Sequence, residues 1–523
     1  MLFRSPEQEP EERVRHGPEE PEELDRTHAW DATAGCEGLG GSRVSGLPRA
    51  QGYPGPAMAD RSRPNGGARL EIPPIARELG ERFRLAGHEL YLVGGVVRDL
   101  LLGREHWDNL DFATDALPRQ TLKILQCWGE SRTLIGATYG TVGARKGGVL
   151  VEITTFREEV YAEEHRKPAV TFGKDLQTDL SRRDFTVNAM AVRLPESEFI
   201  DPFGGVKDLA GKRLETPLDP EVAFSDDPLR MLRAARFVAQ LELGPTPRVV
   251  RAIEQMRDRL RIVSAERIRD EFSKLLQVAV PSRGLELLVQ TRLAEEFVPE
   301  LSALQLEQDP VHKHKDVLRH TFAVIEKCEP DLTLRLAALL HDVGKPKTRE
   351  ITPNGVSFHH HEVVGARMAR ERLRALRYPT QVVEDVTRLV EMHLRFHGYT
   401  EWSDSAVRRY VRDAGPLLDQ LNQLTRADCT TQNPFKAKKL EALQDDLEER
   451  IARLAEEENL GAMRPPLDGG QVMEHLGIQP GPIVGRALEH LLELRLERGP
   501  IDEDEAYRLL DEWWAAERDT SGD

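Results

Sequence analysis

Cysteine is scarce in this chain of 523 residues. Cys36, Cys127, Cys328 and Cys429 stand far apart with no C-x-x-C pair, which excludes a disulfide framework and a thiolate zinc site. No run of eighteen apolar residues occurs, so no membrane-spanning helix is expected. The acidic, proline-rich N-terminus lacks the apolar stretch of a secretory signal. These absences predict a cytoplasmic protein without a membrane partner. Positive charge is not in excess either: 72 Lys and Arg face 89 Asp and Glu, a formal net charge of -17. Indiscriminate coating of nucleic acid needs clustered cations and is excluded, whereas a local basic groove is not. No repeat of fixed period is visible.

What remains is a long, charged, globular sequence. At about 150 residues per domain it holds roughly three or four domains. Charged residues make up 31% and hydrophobic residues 39%, and helix formers dominate the second half. Residues 1–57 are rich in Glu, Pro, Gly and Arg and cannot bury a core. They are expected to be disordered, or to precede the true start at Met58. From Ile72 to Ala86 apolar residues recur at helical spacing. Leu90 to Val93 then reads as a strand ending in the turn Gly94-Gly95, followed by a helix from Val96 to Leu102. Leu110 with Phe112, Leu134-Ile135, Thr141-Val142 and Val149 to Thr155 read as further strands of a small α/β sheet. Beyond Asp227 the pattern is helical almost to Trp514, broken near Pro281, Pro310, Pro353, Pro379 and Pro434.

Chemistry enters with Gly94-Gly95-Val96-Val97-Arg98-Asp99, Leu102-Gly103-Arg104, then Asp108-Asn109-Leu110-Asp111. Paired glycines opening a helix let backbone N–H groups approach a triphosphate. Carboxylates on one strand face can hold Mg²⁺ ions that clamp an attacking hydroxyl and a leaving pyrophosphate. Side chains alternate along a strand, so such carboxylates stand two residues apart. This series resembles the bacterial tRNA nucleotidyltransferase and poly(A) polymerase family, whose signature is G-G-x-V-R-D, L-G-R, then D-x-D. Similar to the family too are Gly136 to Val142, Val151 to Arg157, Arg182 to Ala189, Asp201 to Gly205, Asp226 to Arg230 and Glu266 to Phe272.

The resemblance implies an α+β nucleotidyltransferase head of polymerase-beta type with a small mixed sheet, followed by mostly α-helical domains including an HD-type domain. It implies roles as well. Asp108 and Asp111 would be catalytic Mg²⁺ ligands, with Glu152 as a supporting carboxylate. Gly94, Gly95, Arg98, Arg182, Arg183, Asp184 and Asn188 would serve the nucleotide's triphosphate and ribose. Asp227 and Arg230 would read the incoming base, since Asp accepts from exocyclic amines and Arg donates to ring acceptors, and Arg233 and Arg236 would contact phosphate or base. One departure stands out, because Asn109, not an acid, lies two residues before Asp111. Counted from Gly103-Arg104, Asp108 takes the place of the family's first Asp, and a local bulge would return it to the metal face. The other reading is that the first acid has been lost.

A second constellation follows in the helical half: Arg319-His320, His341-Asp342-Val343-Gly344-Lys345, Phe358 to Glu362, His393 and Asp428. It resembles the HD superfamily of metal-dependent phosphohydrolases. The resemblance makes His320, His341, Asp342, His361, His393 and Asp428 the ligands of Mn²⁺, Ni²⁺, Fe²⁺ or Zn²⁺, which suit imidazole with carboxylate and activate water.

The expected domains are an extension at 1–57, a head at 68–200, a nucleotide-selecting neck at 201–300, an HD-type domain at 301–460 and a tail at 461–523 that meets tRNA. The expected function is addition of C-C-A to the tRNA 3′ end from CTP and ATP by two-metal phosphoryl transfer without a nucleic-acid template, joined to HD phosphohydrolase activity on RNA-end or cyclic phosphates. The alternatives are a poly(A) polymerase, an enzyme adding only A or only C, and an HD phosphohydrolase with an inactive, RNA-binding head.

Overall fold

The computed structural model describes residues 70–104, 107–135, 140–160, 169–173, 175–306, 316–352, 355–429, 433–458 and 464–520. The expected disorder of 1–57 lies outside these residues, as does most of the Gly136 to Val142 motif. The chain divides into two compact units. One runs to Leu176 and includes Ala191–Ile200, and the other holds Gln177–Met190 and everything from Asp201 onward. Among the described residues no helix is long and apolar enough to cross a membrane.

The first unit is built on a mixed sheet. Its strands are β1 (Leu90–Val93), β2 (Asn109–Thr114), β3 (Ser131–Ile135), β4 (Thr141–Lys146) and β5 (Val149–Thr155), while β6 (Arg157–Val160) and β7 (Ala169–Phe172) pair separately. Two later strands, β8 (Ala191–Leu194) and β9 (Glu198–Ile200), complete the order β3-β4-β5-β2-β1-β8-β9. Only β2 and β5 run parallel in this sheet. The Leu-Tyr-Leu-Val of β1 is buried throughout because it lies between β2 and β8. The helix Pro74–Leu85, with Pro at its first position where no N–H is needed, buries Leu79 and Phe83. Phe112, pointing to the opposite face of β2 from Asp111, is 1% exposed, and burying such a side chain contributes roughly 1.5–3 kcal/mol.

The second unit is helical. A continuous apolar core runs from Phe185 through the helices Leu229–Leu241, Ala265–Leu276 and Leu332–Leu340 to Leu454. Side-chain caps fix where several helices begin. Ser264 accepts from the backbone N–H of Arg267, Asp316 from Leu318 and Asp331 from Leu334, each satisfying a donor that the first helical turn leaves orphaned. The last three helices, Gly469–Leu476, Pro482–Arg498 and Glu503–Thr520, enclose a small core of their own around Val472, Leu491 and Leu510.

Candidate active site and metal centre

In the first unit the candidate catalytic face lies where β2 and β5 run side by side. Their register places Asn109 opposite Leu150, Asp111 opposite Glu152 and Ala113 opposite Thr154. Residues paired across a ladder share a face, so Asp111 and Glu152 present adjacent carboxylates on neighbouring strands, about 4.8 Å apart at the backbone. Like charges placed this way repel. A divalent cation would offset that, so this donor set fits a hard metal ion.

The expected bulge is absent. The ladder is unbroken from Asn109 to Thr114, and the N–H of Leu150 donates to the Asp108 carbonyl at 3.0 Å, as a regular parallel pair requires. Regular pairing leaves no extra residue to turn Asp108 onto Asp111's face within the strand. Asn109 takes the position two before Asp111, and Asp108 is exposed in a bend just ahead of β2.

Gly94 caps the helix Gly95–Leu101 at φ 78°, a conformation that disfavours any residue with a Cβ. That fixes the turn expected from the sequence. Arg98, expected at the nucleotide, is buried and donates to Asp99 at 2.9 Å, and Arg104 joins the same carboxylate at 3.2 Å.

In the second unit several of the expected nucleotide-binding residues form a partly buried chain of alternating charge. Both oxygens of Asp184 are engaged: Oδ1 accepts from the Phe185 N–H at 2.9 Å and from Asn188 Nδ2 at 3.0 Å, and Oδ2 accepts from Arg233 Nε at 2.9 Å. Glu271 then bridges Arg233, at 3.7 Å, and Arg236. Burial alone would raise the Asp184 pKa, but the Arg233 guanidinium together with the hydrogen bonds from Asn188 and the Phe185 N–H outweighs it and holds the carboxyl down at about 2. Burial is also the largest influence on Arg236, whose pKa is lowered.

Asp227 and Arg230 do not pair with each other as a simple i, i+3 ion pair. Asp227 meets Arg267 at 2.8 Å and accepts the Leu229 N–H at 3.2 Å, while Arg230 donates to the carbonyls of Ala223 and Arg182. Arg183 pairs with Asp179 at 3.2 Å. Sequence reasoning assigns no role to Glu271 or Arg267. Their signal is the Glu266 to Phe272 motif itself, whose i, i+4 spacing places residues 267 and 271 on one helix face.

All six expected HD ligands converge. His320 lies in the helix Val317–Lys327, His341 and Asp342 follow the helix Leu332–Leu340, and His361 opens His361–Ala375. His393 follows Thr380–Met392, and Asp428 closes Leu418–Asp428. His320 Nε2 is 2.9 Å from Asp428 Oδ1, His341 Nε2 is 3.2 Å from Asp342 Oδ2, and His361 Nε2 is 3.4 Å from Asp342 Oδ1. Two triplets sharing Asp342, namely His320-His341-Asp342 and Asp342-His361-His393, bring their donor atoms within 4.8 Å. No such triplet forms around Asp108, Asp111 and Glu152 among the described residues.

The imidazoles are held for ligation. Nδ1 of His341, His361 and His393 lies 2.8, 2.9 and 2.7 Å from the carbonyls of Ala338, Phe358 and Val390. A carbonyl only accepts, so each Nδ1 carries a proton, and Nε2 is the ring atom turned to the cluster. His361 Nε2 and His393 Nε2 are buried without a hydrogen-bond partner, as a vacant acceptor facing a metal position would be. Burial lowers the His393 pKa to about 3, with His341 adding to the shift. For His341 burial acts the same way and is the largest single influence, yet the charge and hydrogen bond of Asp342 together with the Asp428 charge outweigh it and the pKa is raised. Burial opposes ionisation of Asp342 as well, but His341 leads the groups that hold its pKa well below the carboxylate range.

Lys345, part of the motif but without a role in the sequence reading, donates to Asp342 Oδ2 at 2.7 Å. A Cβ on Gly344 would lie 2.1 Å from the His361 carbonyl, so only glycine lets the His-Asp turn approach the start of the His361 helix. His320 and Asp428 are the partly exposed members, at 20% and 17%, and mark the side open to solvent.

The fold and these two centres define a nucleotidyltransferase head joined to an HD-type helical domain. Comparison with known proteins agrees: residues 90–215 match the Poly A polymerase head domain, 244–304 the probable RNA and SrmB-binding site of polymerase A, and 317–459 the HD domain. A CCA-adding enzyme of Geobacillus sp. is 44% identical over 224 residues, 42% of this chain and 54% of that one. An A-adding tRNA nucleotidyltransferase of Deinococcus radiodurans is 33% identical over 441 residues, 82% of this chain and 95% of that one. The crystal structure of the Bacillus stearothermophilus CCA-adding enzyme with CTP superposes with a TM-score of 0.65 at 26% identity, covering 86% of this chain and all of that one. The chain belongs to the tRNA nucleotidyltransferase and poly(A) polymerase family and is an RNA nucleotidyltransferase.

Proposed function

We propose that this protein adds C-C-A to the 3′ end of tRNA from CTP and ATP, without a nucleic-acid template, and that its HD-type centre is a metal-dependent phosphohydrolase for RNA ends. The observation that carries the first part is the facing pair of Asp111 and Glu152 on the β2–β5 ladder, supported by likeness to CCA-adding enzymes across both units. Asp111 and Asp108 are the proposed Mg²⁺ ligands, Asp108 acting from the bend before β2, where strand alternation no longer dictates its direction. Glu152 orients the site. When bound, Mg²⁺ would offset the charge gathered at the triphosphate and favour in-line displacement of pyrophosphate.

Asp227 and Arg230 select the base by hydrogen bonding, and Asp184, through Arg233 and Glu271, holds the Leu229–Leu241 helix, which carries Arg230 and starts two residues after Asp227. Arg182, Arg183, Asn188 and Arg236 supply the surrounding polar groups, and Gly94 and Gly95 leave room for phosphate. In the HD-type centre, His320, His341, Asp342, His361, His393 and Asp428 would hold Mn²⁺, Ni²⁺, Fe²⁺ or Zn²⁺, which polarises water for attack on phosphorus. Lys345 fixes the Asp342 carboxylate.

The test is incubation of the purified protein with tRNA lacking its end and each labelled nucleotide. Sequential incorporation of two C and one A is expected. Incorporation of A alone onto tRNA already ending in C-C would make it an A-adding enzyme, and long A tracts on unrelated RNA would make it a poly(A) polymerase.

A further inference from the structure

The helix Pro434–Glu458 opens on a turn unlike the rest of the surface. Asn433 starts it by accepting the backbone N–H groups of Phe435 at 3.0 Å and Lys436 at 3.3 Å. Lysine is uncommon in this arginine-rich sequence, with 15 lysines among 72 Lys and Arg, yet Lys436, Lys438 and Lys439 fall within four residues. Eight of the 15 lie between 313 and 439, the stretch that holds the HD ligands. Phe435 is 84% exposed, more than any other large hydrophobic side chain among the described residues. Positions i, i+3 and i+4 share a helix face, so Phe435, Lys438 and Lys439 form one strip with Lys436 beside it. None of the three lysines makes an ion pair among the described residues.

Further along, the same helix is docked. Arg426 pairs with Asp445 at 2.7 Å and Glu448 at 3.0 Å, and Gln444 donates to Cys429 Sγ at 3.6 Å, next to the proposed ligand Asp428. At 1.5 Å per residue, Phe435 stands about 14 Å along the axis from Gln444. The strip is thus tied to the HD-type centre at one end and open to solvent at the other.

A bare aromatic ring among unpaired cations is complementary to a nucleobase with its phosphates, because the ring offers a stacking face and the lysines offer charge. We propose that Phe435, Lys436, Lys438 and Lys439 dock single-stranded RNA, with a base stacked on Phe435, and deliver its end to the HD-type centre. Delivery rests on reading that centre as a phosphohydrolase, whereas docking does not.

The test uses the full chain and a fluorescein-labelled single-stranded oligouridylate, followed by anisotropy. Phe435→Ala is expected to weaken binding by about tenfold, as loss of one stacked base does, and Phe435→Tyr to retain it. The variant combining Lys436→Ala, Lys438→Ala and Lys439→Ala is expected to lower the slope of log affinity against log salt by about 2, at about 0.7 per phosphate contact on a single strand. Circular dichroism checks folding. Unchanged affinity and slope overturn the proposal, and capture of a protein instead would reassign the strip.

Delivery is read separately with Ni²⁺-loaded protein, on an oligonucleotide ending in a 2′,3′-cyclic phosphate and on the matching cyclic mononucleotide. A raised KM in Phe435→Ala for the oligonucleotide alone supports delivery, and equal KM values for both overturn it. Absence of hydrolysis by the parent protein removes the phosphohydrolase reading and delivery with it, while anisotropy still decides docking.

Discussion

The two candidate metal centres of this chain are built by opposite means. On the head, Asp111 and Glu152 face each other because two strands run parallel in register, and both are half-buried. In the helical unit, six candidate ligands gather from five helices, with His341 and Asp342 at 0% and 1% exposure. A nucleotidyltransferase must admit a triphosphate and an RNA end together, so a carboxylate face less enclosed than the helical centre suits it. A centre rich in imidazole is less open, has a donor set that suits softer metals and leaves His320 and Asp428 as its edge. Enclosure is costly unless the polar groups are partnered. That is why each buried imidazole is fixed by a backbone carbonyl, and why the remaining orphans are the two Nε2 atoms that point to the cluster.

The largest expected effects break this comparison at its centres. Asp111→Ala should lower nucleotide incorporation by roughly a thousandfold, the loss expected when several kcal/mol of metal-borne charge stabilisation disappear. Asp108→Ala should match it in the same labelled-nucleotide assay. If Asp108→Ala stays active and Asn109→Asp gains activity, the position two before Asp111 is the true ligand site and Asp108 has no role.

His341→Ala combined with Asp342→Ala should abolish high-affinity Ni²⁺ or Mn²⁺ binding, read by calorimetry, together with phosphate release from 2′,3′-cyclic ends. Addition to tRNA should persist. Loss of both activities in a folded protein would mean that the two centres are not independent.

A smaller effect is expected at the base-reading residues. Asp227→Ala or Arg230→Ala should relax the preference for CTP and ATP over UTP and GTP by about ten- to a hundredfold, from the roughly 1–3 kcal/mol carried by each buried hydrogen-bonding group. Discrimination equal to the parent's would end their role as the template.

The smallest effect separates a structural carboxylate from a catalytic one. Asp184 is bound by Arg233, so its folded pKa of about 2 lies below the ordinary value of 3.8. Its contribution to stability is present above the unfolded value and is lost as pH falls through the folded one. Asp184→Asn should therefore remove about 2 kcal/mol of the acid dependence, at about 1.4 kcal/mol per pKa unit. Thermal melts followed between pH 5 and pH 2 would measure it, and parallel pH profiles for parent and variant would refute the assignment.

The outcome differs between motifs for physical reasons. The turn at Gly94, the strand Leu90–Val93 and the helix Pro74–Leu85 were legible because φ preference, apolar runs and helical spacing are local properties. The ordered His and Asp series was legible too, since the HD resemblance rests on residue types and order. The regular register before Asp111 was not, because it depends on which residues of β5 lie opposite, and Val149 to Thr155 are about 40 positions away in sequence. The partners of Asp227 were hidden for the same reason, as Arg267 comes from another helix.

By itself, then, the sequence determined the family, through the resemblance of its motifs, and the order of sheet and helical regions, through spacing and short-range conformational preference, and it named the candidates for the chemistry. Tertiary structure alone decided that the ladder stays regular from Asn109 with Asp111 opposite Glu152, that Asp184 is locked by Arg233, and that two His-Asp triplets sharing Asp342 come together from separate helices. Each of these depends on packing between segments distant along the chain. Only the folded core fixes such distances.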